Sequence, residues 1–139
     1  MSDQLILVDV IDRLTFMIRI LELEAFKQEG FSDLSWKQLL YLETITRVER
    51  PTNSDLAKIF SVTRSSVSAQ ISKLIKMGYI DRVQSELDRR VFHIVFTPKG
   101  KKLNVMHDNL HRMVSERLTE KLTLLEQEQL FHLLQKMVD

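Results

Sequence analysis

PTNSDLAKIFSVTRSSVSAQISKLIKMGYI, Pro51 to Ile80, decides the fold of this 139-residue chain. Its periodicity gives two short helices joined by a turn too tight for any other element. The first has Leu56, Ala57, Ile59 and Phe60 as its apolar positions. The second has Val67, Ile71, Leu74 and Ile75, at the i, i+4, i+7, i+8 spacing of one buried stripe. Thr52 stands three residues before Asp55, and Thr63 three before Ser66, so each threonine is placed to cap a helix by accepting a backbone N–H. The other face of the second helix holds Arg64, Ser65, Ser66, Ser68, Ala69, Gln70, Ser72, Lys73 and Lys76, with no acid among them. A helix facing bulk water mixes Glu with its Lys. A helix lying in a DNA groove needs small residues for close approach, an amide or guanidinium for base edges, and no negative charge. The spacing therefore predicts a helix-turn-helix with Arg64 to Met77 as the recognition helix.

Beyond Gly78 the period changes. Tyr79 to Val83 and Val91 to Phe96 are rich in β-branched and aromatic residues and flank the polar stretch Gln84 to Arg90, which predicts a β-hairpin with a charged tip. Thr97 and Pro98 then open a helix from about Lys99 towards Leu118, with a cap and a first-turn proline. A last helix near Leu125 to Val138 has Leu130, Leu133, Leu134 and Met137 on one side. Upstream, Leu5 to about Glu29 reads as one long helix, apolar on far more than one stripe, with Gly30 placed to end it. Such a helix must be covered on several sides, and a second copy of the chain is the natural cover. Ser35 to about Arg47 follows as a shorter helix with Leu39, Leu40, Leu42 and Ile45 inward, and Pro51 breaks the chain before the helix-turn-helix.

Charge supports the same division. From Arg50 to Lys102 there are 11 Lys and Arg against 4 acids, a balance of +7; the remainder holds 9 against 15, a balance of −6. The middle of the chain is built for a polyanion and the ends are built to avoid one. The absence of cysteine removes disulfides, thiolate metal sites and thiol sensing. No apolar run reaches the 18 or so residues of a membrane span and no signal peptide is recognisable, so the expectation is a cytoplasmic protein. With three glycines there is no phosphate-cradling loop, and no nucleophile motif is present, so the chain does not read as an enzyme and no cofactor is expected.

A helix-turn-helix followed by a two-stranded hairpin is a winged helix. The order long helix, helix, winged helix, long helix, helix in about 140 residues resembles the MarR family of bacterial transcription regulators over nearly the whole chain. NSDLAKIFSVTRSSVSAQISKLIKMGYI resembles that family's helix-turn-helix signature, and DRRVFHIVFTPKGKKL resembles its wing, with the Asp-x-Arg element at Asp88 and Arg90. The resemblance implies a mainly α fold with a small β-hairpin wing. It implies one MarR-like domain over 1–139, with the winged helix-turn-helix at 35–100 and dimerisation helices at 1–30 and 101–139. By the same token it implies a homodimeric, sequence-specific regulator of transcription, a repressor, bound to a pseudo-palindromic operator in double-stranded DNA and released by a small-molecule effector.

The candidate DNA-binding residues are Arg64, Ser65, Ser66, Ser68, Gln70 and Lys73 on the recognition helix, with Asp88, Arg89 and Arg90 on the wing. Gln suits adenine and Arg suits guanine. In the family pattern Asp88 holds Arg90 by a salt bridge while arginine reaches the minor groove, and Arg89 is the alternative inserted residue. The competing readings are a solvated helix face and a solvated polar turn. His107 and His111, four apart on the helix after the wing, project from one face and with Glu24 or Asp108 could bind zinc. Zinc-responsive members of the family have paired histidines there, but their further histidine on the second helix corresponds to Gln38, a poor zinc ligand. A surface or interface pair is the simpler reading. Trp36, Phe31, Tyr41 and the methionines Met17, Met77, Met106, Met113 and Met137 could line a ligand cavity, although such residues at helical spacing are more often core. A winged helix that binds protein instead of DNA would carry a neutral or apolar recognition helix, unlike this one.

Overall fold

The computed structural model describes residues 3–139, with side chains from residue 6 onward, so the side chain of Leu5 lies outside the described residues. Six helices and one hairpin follow in the order α1 (Asp3–Gln28), α2 (Trp36–Arg47), α3 (Asn53–Phe60), α4 (Arg64–Lys76), β1 (Ile80–Gln84), β2 (Phe92–Phe96), α5 (Pro98–Thr119) and α6 (Leu124–Val138). The chain divides into two compact units. One is Phe26–His107; the other comprises α1 up to Ala25 and the chain from Asp108 onward.

The Phe26–His107 unit is a winged helix with a closed core. Leu56 from α3 and Val67, Ile71 and Leu74 from α4 are wholly excluded from water, as is Tyr79, while Leu42, Ile45, Ile80 and Ile94 are nearly so. Both threonine caps form as the spacing predicts. Thr52 accepts from Asp55 N and Asp55 returns the bond to Thr52 N, a reciprocal capping box, while Thr63 accepts from Ser66 N. Ser35 caps α2 in the same reciprocal way with Gln38. One inward expectation fails: Leu40 is about half exposed, as is Ile59 on α3, because α2 and α3 each bury a narrower stripe than their composition offers. Phe60 does find cover, stacked on Tyr41 with ring centroids 4.4 Å apart.

The strands pair antiparallel, Ile80 opposite Phe96 and Gln84 opposite Phe92. The Arg50–Pro51 step joins them from the side: Ile94 N donates to Pro51 O at 2.8 Å, and His93 Nδ1 lies 2.8 Å from Arg50 O. The wing is thereby fastened to the residues that lead into α3. Tyr79 anchors its other end. Its hydroxyl donates to Asp33 Oδ1 at 2.8 Å, and Lys99 Nζ sits 4.2 Å above its ring centroid while donating to Met77 O. Burial first, then the Asp33 bond and charge, push the Tyr79 phenol far above its ordinary range. Gly100 is required here, because a Cβ would overlap the Tyr79 carbonyl oxygen and come within 2.7 Å of Phe96 Cδ1.

The second unit has a different balance. Leu110 and Val114 of α5 are buried, but α6 has no buried residue. Along α1 the side chains of Ile6, Leu7, Val8, Val10, Ile11, Leu14, Phe16, Ile20 and Leu23 are all exposed. Among the described residues, no helix is long and apolar enough to cross a membrane.

Candidate nucleic-acid interface

Helix α4 begins at Arg64 because Thr63, in extended backbone, caps it. Ser61, in the left-handed region at φ 53°, turns the chain from α3 into that cap. From Arg64 to Lys73 the helix rises about 14 Å, comparable to the roughly 12 Å width of a DNA major groove. Arg64, Ser65, Ser66 and Lys73 are exposed, and Ser68 and Gln70 are half-buried beside them. The six candidate residues of the helix are thus all exposed or half-buried, with no acid among them.

Hydroxyl orientation follows from the bonding. Thr63 Oγ1 donates to Ser66 Oγ at 3.0 Å, so the 3.0 Å contact between Thr63 and Ser65 has Ser65 as its donor. Ser66 therefore keeps its own proton for an outside acceptor. Ser68 is in the same position, since its oxygen accepts from Asn53 Nδ2 at 2.9 Å. Two serines on this face thus present O–H donors, suited to phosphate or base acceptors. Asn53 was not singled out by sequence; only the close crossing of α3 and α4 brings it within reach of Ser68.

The wing tip is tied to itself. Ser85 N donates to Val91 O and Val91 N to Asp88 O, both at 2.9 Å. Gln84 Nε2 donates to Arg89 O at 2.6 Å, and Ser85 Oγ accepts from Leu87 N at 3.3 Å. Asp88 Oδ1 accepts from Arg90 N at 3.0 Å and from Arg90 Nε at 3.3 Å. This Asp88–Arg90 pair is the one the family resemblance implied. Both partners are open to solvent, so the pair adds little stability and acts mainly to orient Arg90. Arg89 extends as an exposed cation whose backbone is fixed by Gln84, a brace that sequence reasoning missed.

His107 and His111 stand one turn apart on α5. His107 meets a carboxylate of α2, Glu43, whose Oε1 lies 2.6 Å from His107 Nε2. The α2 residue that approaches the histidine is thus Glu43, five positions beyond the Gln38 of the sequence comparison. Gln38 instead closes the α2 capping box and donates to Met77 Sδ at 3.5 Å. Of the aromatic and methionine residues considered for a cavity, Phe31, Tyr41 and Met106 are buried core, whereas Trp36 and Met137 are largely exposed.

The arrangement of a capped helix pair, an acid-free second helix and a self-braced basic hairpin defines a winged helix-turn-helix protein. Residues 34–92 match the family model described as MarR family, so the chain carries a MarR-family domain. Solved structures agree over almost the full length. Streptococcus pneumoniae FabT in complex with DNA is 27% identical, with a TM-score of 0.75, over 99% of this chain and 95% of that one. The apo form of MarR from E. coli is 22% identical with a TM-score of 0.66, covering 96% and 97%. A MarR-like transcriptional regulator from Thermotoga maritima is 20% identical with a TM-score of 0.78, covering 94% and 93%. Comparison with curated protein sequences gives no match. The mainly helical winged fold is therefore that of MarR-type transcription regulators.

Proposed function

We propose that this protein is a homodimeric repressor that binds a pseudo-palindromic operator in double-stranded DNA, each protomer laying α4 in a major groove and its wing in the adjoining minor groove. The observation that carries the reading is the absence of any acid from α4, whose positions outside the buried stripe hold the Ser66 and Ser68 donors, Gln70, Arg64 and Lys73. The similarity to FabT, solved with DNA, supports it. The exposed apolar side chains of α1, with Phe131, Leu133, Leu134 and Met137 of α6, support dimerisation through the ends of the chain. Joining two heads makes the second half-site contact intramolecular, which raises affinity without new contacts.

Release by a small ligand belongs to the same reading. An open groove of about 610 Å³, lined by Ile45, Thr46, Arg50, Ile94, Phe96 and Lys101 among others, lies against the Arg50–Pro51 step that leads into α3. A ligand there would bias the helix-turn-helix and the wing together. Zinc as effector is a second reading, favoured by the contact of Glu43 with His107 and by His111 one turn on. Metal analysis of the purified protein separates the two.

The test is selection of bound fragments from genomic DNA, with sedimentation of the protein at micromolar concentration. The expected result is an enriched two-fold symmetric site and a dimer. No enrichment, or a folded monomer that holds the full site, would overturn the proposal.

A further inference from the structure

Leu87 is 100% exposed, at the tip of an otherwise polar hairpin. Isolated exposed leucines are ordinary on protein surfaces, but this one has two unusual features. The first is the degree of exposure: the exposed apolar residues of the strands, Val83 and Phe92, are 41% and 47% exposed, whereas Leu87 has lost none of its exposure. The second is that the loop is not free to fold back. The bonds of Ser85 to Val91 and Leu87, of Val91 to Asp88, of Gln84 to Arg89 and of Asp88 to Arg90 fix the backbone on both sides of it. The wing thus holds a leucine outward on a braced support, next to Arg89 and Arg90.

We infer that Leu87 is an apolar wedge that enters the DNA minor groove with the wing and packs against a base step. This rests on the DNA-binding reading above and deepens it. The arginines supply the charge complementarity, since a narrow minor groove carries a strong negative potential. Apolar side chains inserted between base pairs partly unstack them, and pyrimidine–purine steps unstack most readily. Leu87 therefore gives the wing a preference for such a step at a position where no hydrogen bond reads the base. Removing a leucine side chain that becomes buried, less the unstacking it drives, corresponds to a loss of about tenfold in affinity for the dimer.

Because the Leu87 side chain is fully exposed and its backbone bond to Ser85 does not depend on it, Leu87→Ala leaves the thermal midpoint unchanged, and any loss reads as a DNA contact. The experiment uses the full chain and an operator duplex with 2-aminopurine at the step under the wing. Wild type and Leu87→Met should raise the probe's fluorescence on binding, and Leu87→Ala should not. Leu87→Ala should lose about tenfold on a duplex with a TA step there and about twofold or less on a stiff A-tract, with the salt slope unaltered. Three results would overturn the inference: no fluorescence rise with bound wild type, wild-type affinity of Leu87→Ala on the TA duplex, or equal losses on both duplexes. Failure of the wild type to bind any DNA is distinguishable from these, because it removes the underlying function as well.

Discussion

Substituting Arg89 by alanine should change the salt dependence of DNA binding by an amount that can be worked out in advance. Among the described residues, no ion pair engages Arg64, Lys73 or Arg89, whereas Arg90 already leans on Asp88. A dimer therefore brings six uncommitted cations of this kind to the duplex. If each neutralises one phosphate, the slope of log K against log salt is about −5.4, and raising salt from about 50 to 200 mM costs about 2,000-fold in affinity. Arg89→Ala removes two of the six, so the slope becomes about −3.6 and the same salt step costs about 150-fold. Fluorescence anisotropy of a defined operator duplex at four or more salt concentrations measures both slopes. A flat response for the wild type would refute the electrostatic reading altogether. An unchanged slope for Arg89→Ala would show that this arginine does not meet a phosphate, whatever it does to affinity.

Gln70→Ala should narrow the gap between operator and random DNA by about 1–3 kcal/mol, with little change in salt slope, as competition binding would report. Gly100→Ala should unfold the wing or lower the thermal midpoint sharply, because the new Cβ overlaps the Tyr79 carbonyl oxygen and backbone cannot yield as a side-chain end can. Thr52→Ala removes a reciprocal cap and should cost about 1 kcal/mol of stability in urea unfolding at neutral pH. The same cap holds the Asp55 carboxyl below its ordinary range, chiefly through the backbone N–H and then the hydroxyl of Thr52. A depressed carboxylate contributes stability that is present above its unfolded pKa and is lost as pH falls through the folded value. The Thr52→Ala difference should therefore shrink below about pH 4; a difference that grew on acidification would contradict the assignment.

Local chemistry made most of the fold legible. The caps at Thr52 and Thr63 were readable because each needs only a hydroxyl at a fixed offset from the first turn, and both form. The hairpin was readable from the switch to β-branched and aromatic residues, and the strands lie within one residue of the expected ends. The Asp88–Arg90 pair was expected from the family resemblance of the Asp-x-Arg element, and it forms. What sequence could not supply were pairings set by helix crossings. Asn53 reaches Ser68 across fifteen residues, and Glu43 reaches His107 across more than sixty. No local period encodes either contact, and the carboxylates proposed for His107 were chosen by proximity in sequence or by type. Leu40 was misplaced because an apolar residue one position off the buried stripe has the same composition as one on it.

The two units also differ in how their stability must arise. The Phe26–His107 unit closes its core within one chain, with Leu56, Val67, Ile71, Leu74 and Tyr79 all excluded from water. Described by themselves, the terminal helices leave Phe16, Leu23, Phe131, Leu133 and Met137 more than half exposed. If these side chains are covered by a second protomer, that burial contributes at about 25 cal/mol per Å² only when the protomers are together, so it is a concentration-dependent part of stability. Unfolding followed on α1 and α6 should then depend on protein concentration, while the buried Tyr79 and its neighbours report a transition that depends on it far less. The basic surplus sits where the core is complete in one chain, and the acidic surplus lies towards the ends. If the ends pair with a second protomer, assembly falls to residues that carry the opposite charge from the basic winged-helix part.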